Sequence, residues 1–299
     1  MSMYLLLLFQ QLIASSTHLV AKSVTGILHP TMVVGLRAVF ACLFFGAYVV
    51  IRRSSLRPLR AEDRRRIWLL GLLNIPLNQL LFIGGVNLGT APNASLAYAL
   101  TPAFVLAIGV LFMGERPART RVAGIVLAML GAGLVLVDRG ARFDADLMTG
   151  NVMVLCAALA WSLYTVLGRD LATRYGGFHL TAMTMFTGAI LYVPVWIGLV
   201  AIAGVPFDTT GLHATVNGVS PLSSWMQLVY LGVITSGLGF GLWYVALTKL
   251  DASRLAVFNN LQPVLTTILA WMLCSTVPTP VFLVGGAVAI AGVVLTQRR

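Results

Sequence analysis

Thr101-Pro102-Ala103-Phe104-Val105-Leu106 lies in the middle of an apolar run from Pro92 to Met113. Gln262-Pro263-Val264-Leu265 lies inside another, from Arg254 to Cys274. Offset by 161 positions, the two stretches share more than their prolines: Pro117 falls on Pro278, Gly124 on Gly285, Ala128 on Ala289 and Gly131 on Gly292. Only 8 of the 57 pairs from Phe82 to Asp138 are identical. Most of those are residues that bend a helix or let two helices close up, and they hold one register without a gap. The pattern is that of an internal repeat.

Composition sets the class. Hydrophobic residues make up 59% of the chain and charged residues 10%, with a mean hydropathy of +0.91. A soluble domain carries about 25% charge, so the chain reads as an integral membrane protein. A span needs about 20 apolar residues as a helix, and the alternating pattern of outer-membrane strands is missing. The expected fold is therefore all-α. Cys42, Cys156 and Cys274 stand alone in separate apolar runs, with no spacing suited to metal or redox work, and read as small wall residues. The net charge of +11 does not point to nucleic acid, because the arginines fall in short loops between apolar segments.

Ten such segments are expected: 3–24, 31–51, 67–87, 92–113, 120–138, 149–168, 179–203, 223–247, 254–274 and 279–297. The first resembles a secretory leader, with Leu5-Leu6-Leu7-Leu8 before Ala14-Ser15-Ser16. It lacks a basic start and nine further spans follow, so it is read as a helix. With the N-terminus inside, 16 Lys and Arg fall in cytoplasmic loops and only Arg139 and Arg142 outside, leaving Lys22 and Arg37 within helices. The positive-inside rule then puts both termini in the cytoplasm. Five helices per half is an odd number, so consecutive halves, 1–142 and 143–299, must lie in the membrane with opposite orientation. Together they make one transmembrane domain of two inverted repeats, an architecture whose binding sites lie at the midplane.

At this point the chain resembles the drug/metabolite transporter superfamily, EamA type. The residues that carry the likeness are Gly114-Glu115-Arg116-Pro117 closing the fourth helix, Trp161-Ser162 in the sixth and Arg37 in the second. The sequence departs from that family at Ser275-Thr276, where a second Gly-Glu is usual, and near Ser15, where a Trp is usual. The resemblance implies export of small metabolites, commonly amino acids, across a bacterial inner membrane.

Candidate site residues follow from depth and spacing. Pro102 and Pro263 each lie about ten residues into a span and free the carbonyls of Tyr98 and Asn259, a register-matched pair. Exposed backbone at this depth is tolerated beside a wet cavity or within protein, so either a central site or an ordinary kink results. Asn74-Ile75-Pro76-Leu77-Asn78-Gln79 aligns with Thr235-Ser236-Gly237-Leu238-Gly239-Phe240. Pro76 and Gly237 should bend both helices, as a gate requires, and Asn78 and Gln79 need partners or water. Gln11, Ser15, His18 and Lys22 share one helical face, opposite Leu8, Leu12 and Leu19. Lys22 and Arg37 are possible anion contacts, and Lys22 is equally placed to snorkel. Trp161 lies too deep for an interfacial belt, and Trp161 and Tyr164 read as stacking groups. Trp243 and Tyr244, nearer the cytoplasmic end, fit either a belt or the site. Gly124, Ala128 and Gly131 match Gly285, Ala289 and Gly292 as close-packing faces, within one molecule or between two, so monomer and homodimer both stand.

All nine acidic residues lie in loops or at helix ends, so no carboxylate at depth relays protons or pairs with a cation. No phosphate-binding loop, metal cluster or catalytic triad is present in the sequence, and no cofactor is implied. The expected activity is alternating-access transport of amino acids or similar small amphiphilic metabolites. An anionic or phosphate-bearing substrate becomes the better reading if Lys22 and Arg37 both face the cavity. A membrane enzyme would need a catalytic constellation that the sequence does not contain.

Overall fold

The computed structural model describes residues 3–89, 91–114, 118–138, 147–202, 204–205, 208–274 and 279–297. Glu115–Pro117, the connector 139–146 and Ser275–Pro278 therefore lie outside the described residues. What is described is helical, with no strand among it.

Long apolar runs fold as helices because a helix satisfies every backbone group within its own segment. In order these are α1 (Met3–Thr25), α2 (Pro30–Arg52), α3 (Ala61–Leu88), α4 (91–113), α5 (Arg119–Asp138), α6 (Met148–Tyr175), α7 (Gly177–Ala201), α8 (Pro221–Leu247), α9 (252–274) and α10 (Pro280–Gln297). Among the described residues, eight are long and apolar enough to cross a membrane, all but α5 and α9. Start signals are local. His29 caps α2, its Nδ1 accepting from the Thr31 N–H at 3.4 Å, and Ser220 caps α8, its hydroxyl accepting from the Ser223 N–H at 3.3 Å; a proline follows each cap. Gly114 ends α4 at φ +66°, a left-handed position that favours glycine.

Four helices are irregular, and they fall in two register-matched pairs. In α4 the helix breaks at Leu100, and Pro102 occupies the first turn of the segment Thr101–Met113. In α9 a 3₁₀ turn, Val257–Leu261, precedes the segment Gln262–Cys274, again with proline second. In α3 a π-helical stretch, Leu73–Gln79, encloses Pro76, and in α8 another, Tyr230–Gly239, encloses Gly237. Such stretches recur at functional sites because they free backbone groups and turn side chains inward.

Packing places these four helices around α1 and α6. Helix α3 packs on α6 and α7, and α8 on α1 and α2; α4 packs on α6, and α9 on α1; α5 packs on α10, and α2 on α7. Exchanging each helix for the one five places along carries every one of these contacts onto another in the set. The α5–α10 pair is the closest. A Cβ on Gly124 would come within 2.8 Å of the Thr296 nitrogen, and one on Gly131 or Gly292 would overlap the backbone of Ala289 or Ala128. The small-residue faces thus meet each other inside one molecule.

The two ends differ. At the arginine-rich end, Arg66 bonds Asp170, Arg169 bonds Asp251 at 2.6 Å, Arg121 lies 3.8 Å from Asp251, and Arg174 bonds Asp63 at 2.6 Å. These pairings explain why α6 runs to Tyr175, past the expected 168: its last turns carry charges held by partners. At the opposite end the Lys22 ammonium donates to the carbonyls of Val86, Asn87 and Gly89 at 3.0, 3.2 and 2.9 Å. It caps the end of α3.

Candidate functional site

The irregular stretches converge on a cavity of about 60 Å³ lined by both polar and aromatic side chains. Helix α1 contributes Gln10, Thr17 and His18; α2 gives Arg37; α3 gives Asn78 and Phe82; and α4 gives Tyr98. Across from them stand Trp161 of α6, Thr235 and Phe240 of α8, and Asn259 and Gln262 of α9. Residues at both proline kinks and in both π-helical stretches therefore reach one space. Tyr98 and Asn259, matched in sequence, both line it.

Arg37 is the only cation among the lining residues, and it is 2% exposed. Its Nε donates to the Ser236 hydroxyl at 2.6 Å and its Nη2 to the Thr235 hydroxyl at 3.2 Å. The guanidinium carbon lies 5.8 Å from the centre of the Phe240 ring, within cation–π range. Among the described residues, no carboxylate lines the cavity. A charge at membrane depth costs about 3 kcal/mol or more, and here only neutral hydroxyls and an aromatic face offset it. Close approach of α2 and α8 makes this geometry possible: a Cβ on Gly232 would lie 2.8 Å from the Arg37 carbonyl, and one on Gly237 2.7 Å from the Phe44 ring.

Opposite, a chain of side chains joins α1 to α9. Gln11 Nε2 donates to Gln10 Oε1 at 2.9 Å and to Asn259 Oδ1 at 3.1 Å; Gln262 Nε2 donates to the same Asn259 oxygen at 3.2 Å; Gln262 Oε1 lies 3.0 Å from His18 Nε2. The His18 ring is held edge-on by Phe82 and Tyr98, at centroid distances of 5.3 and 5.9 Å. Asn78 Nδ2 donates to the Tyr98 hydroxyl at 2.7 Å and to the Ala157 carbonyl at 2.8 Å, fixing α3 and α4 against α6. Trp161 supplies the apolar wall, packed 4.7 Å from Phe240 and 5.5 Å from Trp243.

Of the residues expected from sequence, His18, Arg37, Asn78, Tyr98, Trp161 and Asn259 meet at this cavity, and Ser15, Lys22, Gln79, Tyr164 and Trp243 do not. Ser15 donates back to the Gln11 carbonyl within its own helix at 2.7 Å. Gln79 turns to Asn74, at 3.1 Å, in a buried cluster beside α7. The Tyr164 hydroxyl lies 2.8 Å from that of Thr184. Trp243 is fully buried and donates to the Thr165 hydroxyl at 3.1 Å, and the Tyr244 hydroxyl donates to the Tyr164 carbonyl at 2.6 Å. Neither Trp243 nor Tyr244 belongs to an interfacial belt; together they bolt α8 to α6. Gln10, Thr17, Phe82, Thr235, Phe240 and Gln262 were not singled out from sequence. Thr235, Phe240 and Gln262 lie in the matched stretches, so the repeat itself was the available signal.

Comparison with known proteins agrees with this architecture. A probable terminal-alkyne amino-acid exporter of Streptantibioticus cattleyicolor is 31% identical over 80% of this chain and 75% of its own length. A probable amino-acid metabolite efflux pump of Escherichia coli is 26% identical over 79% and 74%. An uncharacterized transporter of Archaeoglobus fulgidus is 28% identical over 99% and 97%. A solved crystal structure superposes with a TM-score of 0.76 over 99% of this chain and 96% of that one, at 22% identity, which shows the fold alone. The EamA-like transporter model matches residues 1–137 and again 148–298. This is a multi-pass membrane protein that belongs to the EamA-like transporter family, a family of transporters rather than enzymes.

Proposed function

We propose that this protein exports amino acids or similar small amphiphilic carboxylates from the cytoplasm by alternating access. In this reading all ten helices span a bacterial inner membrane as two inverted five-helix repeats, with both termini and the arginine-rich end in the cytoplasm. The symmetric helix packing and the two family matches support the repeat reading, and the 16-to-2 loop charge count supports the orientation. Pro76, Pro102, Gly237 and Pro263 are the bending points about which the site changes access.

One observation carries the substrate class: Arg37 lies buried at a cavity that has no acid among its described lining residues. A carboxylate arriving there gains a charge-assisted pair, and the Trp161–Phe240 wall accepts an apolar side chain. Lys22 is engaged on α3 carbonyls and does not line the cavity. A single cation suits a carboxylate monoanion better than a phosphate dianion, so the phosphate-bearing alternative loses its motivating feature. The names of the exporter and efflux-pump relatives are consistent with this choice.

Counterflow of a labelled amino-acid panel in proteoliposomes tests the reading. Transport of apolar amino acids that falls about tenfold or more in Arg37→Gln is expected from loss of a charge-assisted bond. Absence of any amino-acid flux, or flux indifferent to Arg37, would sink it. Orientation is checked with single cysteines at the exposed positions Ser54 and Thr210 in a variant without native cysteines. An impermeant reagent added outside cells should reach only Thr210→Cys.

A further inference from the structure

One residue lining the cavity, His18, carries a buried acceptor with no hydrogen-bond partner among the described residues. In the chain from Gln11 to His18, the Asn259 oxygen accepts from both Gln11 and Gln262. Gln262 therefore presents its own oxygen to His18 at 3.0 Å. A carbonyl oxygen can only accept, so His18 Nε2 carries the proton and donates. The other ring nitrogen, Nδ1, is then a bare lone pair. It is buried without a partner, in a residue 2% exposed that lines the same cavity as Arg37.

A buried acceptor left unpaired is unfavourable, and native structures keep few of them without a reason. Of the other unpartnered atoms in this network, Asn259 Nδ2 is a donor and cannot receive a proton-bearing amine, and Gln11 Oε1 belongs to a residue that does not line the cavity. The ring cannot swing away to find another partner, because Phe82 and Tyr98 hold it edge-on and Gln262 holds its far side. The cavity, at about 60 Å³, is also smaller than an apolar amino acid. It must widen to load one, and widening is what would bring a ligand against this covered nitrogen.

We propose that His18 Nδ1 accepts a hydrogen bond from the substrate's α-amino group, so that the site selects amino acids over carboxylates of the same shape without the amine. This rests on Arg37 receiving the carboxylate. The two groups then read the two ends of one zwitterion: a cation for the carboxylate, and a neutral acceptor flanked by aromatic rings for the ammonium. A neutral acceptor is the fitting partner here. A carboxylate in its place would pair with Arg37 and close the site to anions.

The test is competition against labelled leucine, phenylalanine and methionine in counterflow, each set against its desamino acid: 4-methylpentanoate, 3-phenylpropanoate and 4-(methylthio)butanoate. In the wild type the unlabelled amino acid should compete about tenfold better than its desamino partner, the size expected for one hydrogen bond to a charged group. In His18→Phe the gap should close while competition still requires Arg37, and in His18→Asn, which keeps an acceptor, part of the gap should remain. Equal competition in the wild type would overturn the assignment while leaving carboxylate export standing, and this result does not depend on any variant folding. A gap that persists undiminished in folded His18→Phe would overturn it as well. If neither member of any pair competes, the amino-acid reading falls and this assignment falls with it.

Discussion

Arg66 and Asp170 face each other as a bidentate pair, with guanidinium-to-carboxylate distances of 2.7 and 2.6 Å, and they come from different halves of the chain. Arg121–Asp251 and Arg174–Asp63 cross between the halves in the same way. All three pairs lie at the arginine-rich end, where Arg66 and Asp170 line a cleft of about 750 Å³ together with Val105, Arg169 and Thr248. Arg66–Asp170 and Arg121–Asp251 are partly exposed, and such a pair contributes roughly 0–1 kcal/mol, whereas Asp63 is buried. Holding one end closed does not require more, since a shift of 1 kcal/mol changes a two-state population about fivefold. Asp170→Asn and Arg66→Gln are therefore expected to speed maleimide labelling of Val105→Cys, in a background without native cysteines, by up to that factor. The double exchange Arg66→Asp with Asp170→Arg should restore the slow rate. Unchanged labelling in both single variants would remove these pairs from the gating account.

Lys22 separates a structural from a ligand-binding cation. Its ammonium is shared among three carbonyls at the end of α3, an arrangement in which a cation contributes about 0.3–1 kcal/mol through the helix dipole alone. Lys22→Met should lower thermal stability in detergent while leaving the KM for a transported amino acid within about twofold of the wild type. A large rise in KM with normal stability would place Lys22 against substrate instead.

Gly131 and Gly133 make a matched pair on α5. A methyl on Gly131 would drive into the backbone of Ala289, while one on Gly133 meets nothing within 4 Å. Gly131→Ala is expected to cost about 1–3 kcal/mol as overpacking. Gly133→Ala should gain up to about 1 kcal/mol from helix propensity. Thermal unfolding in a fixed detergent measures both, and a Gly131→Ala protein as stable as the wild type would show that α5 and α10 do not meet as described.

The fold and the site were legible to different degrees, for physical reasons. Pro102 and Pro263 could be placed in depth by counting residues, and the register match located both breaks. The π-helical stretches of α3 and α8 were foreseen only as bends, since Pro76 and the glycines near Gly237 disrupt a helix without specifying how it rewinds. On α1 the polar stripe Gln11, Ser15, His18, Lys22 predicted the wrong edge of the helix, because the cavity-facing set is Gln10, Ala14, Thr17 and His18. The lipid side was right for Leu8 and Leu12, which are 42% and 41% exposed. Spacing alone cannot tell a polar group that faces a cavity from one that bonds back to its own helix, as Ser15 does. Trp243 and Tyr244 were misjudged because distance from a helix end is not distance from lipid when another helix covers that end.

Energy coupling is the remaining question, and the lining residues constrain it. A proton-driven carrier needs a group at the site that gains and loses a proton as access changes. Among the described residues no Asp or Glu lines the cavity, and Arg37 keeps its charge at any working pH, which leaves His18. His18 is committed on one side, its Nε2 proton directed at the Gln262 oxygen. In the reading argued above its other nitrogen meets the substrate amine, a role that needs the neutral ring throughout the cycle. Transport should therefore be facilitative, driven by the substrate gradient alone. A pH gradient imposed across proteoliposomes, with substrate equal on both sides, is expected to produce little net accumulation. Strong accumulation that vanishes in His18→Gln would make His18 the proton carrier and displace its role as a fixed acceptor. Accumulation that survives the substitution would assign coupling to a group outside this cavity, and the first to replace would be the buried Asp63 at the arginine-rich end.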